Sequence, residues 1–189
     1  LTYSQLDNSV VLVRGKNPGV TLNTNHQRAK FEILNDGSSF TMTGNSLLII
    51  DRNGLPSGSF GDFYLTPSAS VVSGGEIRIG TSVTPSTDGT FIGIIQPSVW
   101  DLVVDGTVTP KTLQLQNNAL SVSNNLSVFG NSIFNANSLD VTIGGNLTNQ
   151  NPINTVGLTV GGYRVVSPTQ VTTFSGSAGS QTIAGASGN

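Results

Sequence analysis

The sequence has no cysteine, one histidine, one tryptophan and one methionine in 189 residues. Without cysteine there is no disulfide framework, no thiol chemistry and no sulfur ligand for structural zinc. Charge is scarce as well. Eight Lys and Arg stand against ten Asp and Glu, a formal net charge of −2. Charged residues make up 10% of the chain, where an ordinary soluble domain carries about 25%. With no basic cluster to neutralise phosphates or anionic lipid, neither nucleic acid nor an acidic membrane surface is an expected partner. No apolar run approaches the ~20 residues that span a bilayer. The longest, Leu47 to Ile50, is strand-sized. A signal peptide is missing and the chain opens on Leu1, which predicts a processed or excised segment.

Helical periodicity is missing too. Polarity comes from Asn, Ser, Thr and Gln, and 23 glycines are scattered throughout. Apolar residues come as alternating pairs such as Val11/Val13, Val20/Leu22, Phe31/Ile33, Phe40/Met42, Ile77/Ile79, Leu113/Leu115 and Leu126/Val128. Turn formers separate them, among them Asn35-Asp36-Gly37, Asn53-Gly54, Ser73-Gly74-Gly75 and Gly144-Gly145. Short alternating runs punctuated by turns read as half-buried strands, so the expected class is all-β.

A repeat organises these strands. Leu120-Ser-Val122, Leu139-Asp-Val141 and Leu158-Thr-Val160 share one pattern at intervals of 19 residues, and Val128 and Leu147 are again 19 apart. Leu102/Val104 precedes Leu120/Val122 by 18, while Leu22, Met42 and Phe63 are spaced by 20 and 21. Two or three strands per unit of this size predict a right-handed parallel β-helix with coils of about 19–22 residues. About nine coils at ~4.8 Å each would form a continuous apolar core. Leu and Val would point inward, and Asn in successive coils would form ladders. A charge at Leu139 should then be severe. The expected division is an N-terminal β region over 1–59, a β-solenoid over 60–175 and a flexible Gly/Ser/Ala-rich end over 176–189. The alternative for the short strands is a β-sandwich, above all for residues 1–59.

Between Val72 and Val160 stand Ser73-Gly74-Gly75-Glu76-Ile77-Arg78-Ile79-Gly80, Val99-Trp100-Asp101-Leu102-Val103-Val104-Asp105-Gly106, Asn125-Leu126-Ser127-Val128 and Ile143-Gly144-Gly145-Asn146-Leu147-Thr148-Asn149. Through these residues the chain resembles large Bacteroidetes cell-surface adhesins of the gliding-motility type, cargo of the type IX secretion system. Filamentous-haemagglutinin-type exoproteins and autotransporter passengers repeat similar Gly-Asn-Leu-Thr units. The resemblance implies a segment of a long fibre outside the outer membrane and brings no catalytic residues with it.

Sites are few. His26 stands alone in a polar stretch and reads as exposed. A nucleophile elbow, a Walker loop and a dinucleotide fingerprint are all missing. Gly144-Gly145 leads to Asn146 and Gly161-Gly162 to Tyr163, so the calcium repeat of β-rolls fails, although one Ca²⁺ held by carbonyls and an Asp stays open. Carboxylate pairs are what a polysaccharide-cleaving enzyme would need. Asp101 with Asp105, Asp51 and Arg52 with Asp62, and Glu76 with Arg78 read more simply as solvated faces, the last as a surface ion pair. Asn125-Leu-Ser127 and Asn146-Leu-Thr148 fit the glycosylation sequon but read as turn and strand. Trp100, if Val99 to Asp105 alternates, shares the core face of Leu102 and Val104; the competing reading is a sugar-stacking platform. The possible glycan contacts are therefore Trp100, Tyr64 and Tyr163.

Together these features predict a structural and adhesive segment of a secreted bacterial surface adhesin, not an enzyme, with no cofactor. The expected location is extracellular, at the bacterial cell surface. Expected partners are neighbouring repeats of a longer chain, the secretion and surface-anchoring machinery of the outer membrane, and surface polysaccharide. The alternative is a glycan-binding module or a tailspike-like receptor-binding β-helix.

Overall fold

The computed structural model describes residues 2–13, 31–51, 61–84, 89–107, 109–150, 162–164, 167–176 and 180–185. Among them there are 19 strands and no helix, and the protein is all-β. The strands form four sheets, and every pair in them is parallel.

The first sheet holds β1 (Thr2–Gln5), β4 (Ser39–Met42) and β7 (Ala69–Val72). The second has seven strands in the order β2 (Val10–Val13), β5 (Leu47–Ile50), β8 (Glu76–Ile79), β10 (Asp101–Gly106), β13 (Leu126–Gly130), β16 (Leu147–Asn149) and β19 (Ile183–Gly185). The third has six: β3 (Phe31–Ile33), β6 (Phe63–Leu65), β9 (Thr90–Ile95), β11 (Thr112–Leu115), β14 (Ile133–Asn135) and β17 (Gly162–Arg164). The fourth holds β12 (Leu120–Val122), β15 (Val141–Ile143) and β18 (Thr172–Phe174), with Val99 adding one parallel bridge to Val122.

Consecutive strands thus enter different sheets, and each finds its partner after an intervening excursion through the others. Parallel pairing requires such crossovers, since a tight hairpin can only reverse the chain. The second sheet passes across residue 60 with β5 beside β8. β19 lies inside the Gly/Ser/Ala-rich end and pairs with β16. Its three residues are all exposed, because a ladder is made by backbone groups and asks for no apolar side chain.

Alternation decides what is buried. In the second sheet Leu48, Ile77, Leu102, Leu126 and Leu147 are successive partners and form one inward row; Ile50, Ile79, Val104 and Val128 form the next. Phe91, Leu113, Phe134 and Tyr163 make a row in the third sheet. These rows meet in one apolar core that also takes in Phe40, Met42, Phe63, Val99, Val122 and Ile143.

The register corrects the expected repeat. Leu120 pairs with Val141 and Val122 with Ile143, a step of 21 residues rather than 19. Leu126 pairs with Leu147, and Val128 meets Asn149, not Leu147. Leu139 lies in the turn before β15 and is only half-buried. Leu102/Val104 and Leu120/Val122 belong to different sheets, as do Met42 and Phe63. The cause is the period of a strand. A slip of two residues keeps the same face inward, so the apolar pattern alone cannot tell 19 from 21. Elsewhere the steps lengthen, from Val10 to Leu47 and from Val141 to Thr172. Among the described residues the longest sheet has seven strands, against about nine expected coils. Val20/Leu22, His26, Arg52 and Leu158/Val160 lie outside the described residues.

Side-chain carbonyls tie one level to the next. Asp101 Oδ1 accepts the Asn125 N–H at 2.8 Å and the Asn124 side-chain amide at 2.9 Å. Asn125 Oδ1 accepts the Asn146 N–H at 2.9 Å, and Asn146 Oδ1 accepts the Thr182 N–H at 2.8 Å. Three of the four donors are backbone N–H groups at corners, where the strand ladder stops. The expected Asn ladder is therefore present, with Asp101 as its first rung.

Aromatic rings pack β1, β3 and β4 together. Tyr3 stacks on Phe40 with ring centroids 5.5 Å apart and meets Phe31 edge-on at 5.2 Å. Its hydroxyl donates to Gln5 Oε1 at 2.6 Å, and burial pushes the phenol up to about 12. The unfolded chain ionises this phenol near pH 10, before the folded one does. Its stabilising effect is complete below pH 10 and is lost as pH rises toward 12. Tyr3→Phe should flatten the fall in thermal midpoint over that window; an unchanged slope would show that Tyr3 is not its source.

Candidate functional site

The site is built on the outward face of the second sheet. In β8 Ile77 and Ile79 point into the core, so Glu76 and Arg78 point out. Arg78 Nε donates to Glu76 Oε1 at 2.6 Å and Nη1 to Asp105 Oδ2 at 2.7 Å. The expected Glu76–Arg78 pair is there, with Asp105 of β10 as a third member. Burial works to lower the Arg78 pKa, but the hydrogen bond and charge of Glu76, followed by those of Asp105, outweigh it and raise the value. The second oxygen of Asp105 accepts from the Thr107 N–H and hydroxyl. These side chains are partly solvated, so the triad orders the surface more than it stabilises the fold.

Two hollows flank the triad. One, of about 330 Å³, is lined by Gly44, Asn45, Ser46, Leu47, Gly75 and Trp100 together with Glu76, Arg78 and Asp101. The other, of about 220 Å³, shares Glu76, Arg78 and Asp101 and adds Val103, Asn125, Ser127 and Phe129. They form one trough across β5, β8, β10 and β13.

Trp100 is placed differently from its expected core position. Val99 takes the core slot, fully buried, and Trp100 is half-buried at the corner where the chain passes from its bridge with Val122 into β10. The extended run begins only at Asp101. Alternation therefore does not carry back from Leu102 to Trp100. Tyr64 points outward in the third sheet between Glu32 and Ile94. Tyr163 lies on the inward row beside Phe134, with ring centroids 5.3 Å apart. Its hydroxyl is hydrogen-bonded to Thr172 and accepts from Gln170 Nε2 at 3.2 Å. Burial raises its pKa against those two hydrogen bonds, with the Asp140 charge adding to the rise. The three aromatic candidates thus sit on different faces, and only Trp100 lines the trough.

Sequence reasoning passed over Phe129. With Leu126 and Val128 inward, Ser127 and Phe129 must point out, and a large aromatic on an outward face was the available signal. Of the other carboxylates, Asp51 is buried and accepts from the Thr81 and Thr84 hydroxyls at 2.6 and 2.5 Å. Asp62 Oδ2 accepts the Ile92 N–H at 2.7 Å. Lys111, 1% exposed, reaches the Thr109 carbonyl at 2.7 Å. These groups brace the interior.

Compared with known proteins, the chain matches no family model, no curated protein and no solved structure.

Proposed function

We propose that the chain is a right-handed parallel β-helix forming a structural and adhesive segment of a large secreted bacterial surface adhesin of the gliding-motility type. In this reading each return of the chain to the same sheet is one coil, of 21 residues from Leu126 to Leu147 and more from Val10 to Leu47. The hand follows from the strong preference of parallel crossovers for the right-handed path.

The observation that carries the reading is the parallel register, held level after level from β2 to β19. Such a stack extends by repetition, each level covering the last, and its length is set by the number of levels. Its composition supports the same reading, since charged residues make up only 10% of the chain and polarity comes mainly from Ser, Thr, Asn and Gln. A rod of this kind holds adhesive surface away from a cell. Its partners would be adjoining repeats, the outer-membrane secretion and anchoring machinery, and surface polysaccharide.

The test is the intact mass of the native protein together with protease shaving of intact cells. The expected result is a chain of hundreds of kilodaltons whose peptides from this region are released from the cell surface. A native mass near 19.6 kDa, or peptides protected until lysis, overturns the adhesin reading. The second reading, a glycan-binding or tailspike-like receptor-binding β-helix, is favoured by one observation, the placement of Trp100 in an open trough.

A further inference from the structure

We propose that the trough on the outward face of the second sheet binds a short linear oligosaccharide that is neutral, and that it discriminates against uronate and sulfated sugars. The proposal rests on the adhesive reading only in supplying that surface with a ligand.

The first argument is the distribution of aromatic and polar groups. Trp100 stands at one end and Phe129 at the other, both half-buried, with Glu76, Arg78, Asp101 and Ser127 between them. A sugar ring has apolar C–H faces that lie on aromatic side chains and an equatorial rim of hydroxyls that both donate and accept. Carboxylates and a guanidinium held in fixed geometry answer that rim. Phe129 pairs with Asp105, four residues along β10 from Asp101, the residue after Trp100. At ~3.3 Å per residue that stretch of strand alone spans roughly 13 Å, room for more than one ring.

The second argument is charge. Glu76, Asp101 and Asp105 surround one cation, Arg78, whose Nε and Nη1 are already taken by Glu76 and Asp105. Among the described residues the local balance is two negative charges in excess. An anionic sugar would meet repulsion there, and like-charge juxtaposition is an effective means of rejecting a ligand.

Trp100 is the only tryptophan, so its emission reports on the trough directly. The whole chain would be titrated with linear hexose and N-acetylhexosamine oligosaccharides and with uronate oligosaccharides of matching length. The expected result is a saturable emission shift with a neutral series and at least tenfold weaker response to uronates. Phe129→Ala should weaken binding about tenfold at unchanged thermal midpoint, and Tyr64→Ala should leave it as in the parent. Should Phe129→Ala lower the midpoint, Phe129→Leu keeps the bulk without the ring and serves instead. Glu76→Gln should narrow the gap between neutral and anionic sugars. The absence of any saturable shift in the folded chain, equal or tighter uronate binding, or indifference to the loss of the Phe129 ring would each overturn the proposal. None of these outcomes touches the native mass or surface exposure, on which the segment reading stands or falls.

Discussion

Leu126→Asp is expected to lower the thermal midpoint by roughly 8–16 °C, the counterpart of at least about 4 kcal/mol in a chain of this size. Leu126 is fully buried and stands in a row between Leu102 and Leu147, on adjacent strands. An aspartate there would be a desolvated charge with apolar neighbours on both sides and no partner in reach. Leu139→Asp should cost far less, about 1–2 kcal/mol, because Leu139 is half-buried in a turn and can turn its new carboxylate to water. The pair of variants tests the register itself. If Leu139→Asp proved as damaging as Leu126→Asp in a thermal melt, the 19-residue spacing would be the structural one, and the pairing of Leu120 with Val141 would be wrong.

The second large effect is expected at Gly130. Its φ is +59°, and a Cβ there would run into the Gly106 carbonyl and lie 2.9 Å from Thr107 Cα. Both obstacles are backbone, at the last residue of the neighbouring strand and the one after it, and moving them strains the ladder between β10 and β13. Gly130→Ala should cost about 3 kcal/mol, near 1 for the left-handed conformation and the rest for the displaced strand. Gly37 is the control. Its φ is +86°, but nothing lies within 4 Å of an added Cβ, so Gly37→Ala should show the conformational cost alone, about 1 kcal/mol. Equal shifts for the two variants in chemical denaturation would mean that close approach at Gly130 contributes nothing.

Much of this architecture was legible because strand alternation and parallel stacking both leave a trace in composition. Leu126/Val128, Ile77/Ile79 and Leu113/Leu115 were read as inward pairs, and all six residues are buried. The pattern is blind to a shift of two, which is why Leu139 was given a slot that Val141 fills. It is blind also to which sheet a strand joins, since Leu102/Val104 and Leu120/Val122 look alike yet sit on different faces. The site was legible only in pieces. Glu76 and Arg78 followed from alternation, but Asp105 joins them across a strand boundary that no local pattern records. Trp100 was misplaced for a similar reason. Alternation holds only inside a strand, and the bend between Val99 and Asp101 resets its phase.

One detail of the corner ladder gives the molecule a sense of direction. In each rung from Asp101 through Asn125 and Asn146 to Thr182, the oxygen belongs to the earlier residue and the N–H to the later one. A chain ordering itself from the amino-terminal side meets a waiting acceptor at each new corner, already fixed by the strand behind it. Ordering in the opposite sense would set down the N–H groups first, with water standing in for oxygens still to come, since the rungs at Asn146 and Thr182 are exposed. The corner ladder therefore has a polarity, and each rung carries the hook for the next.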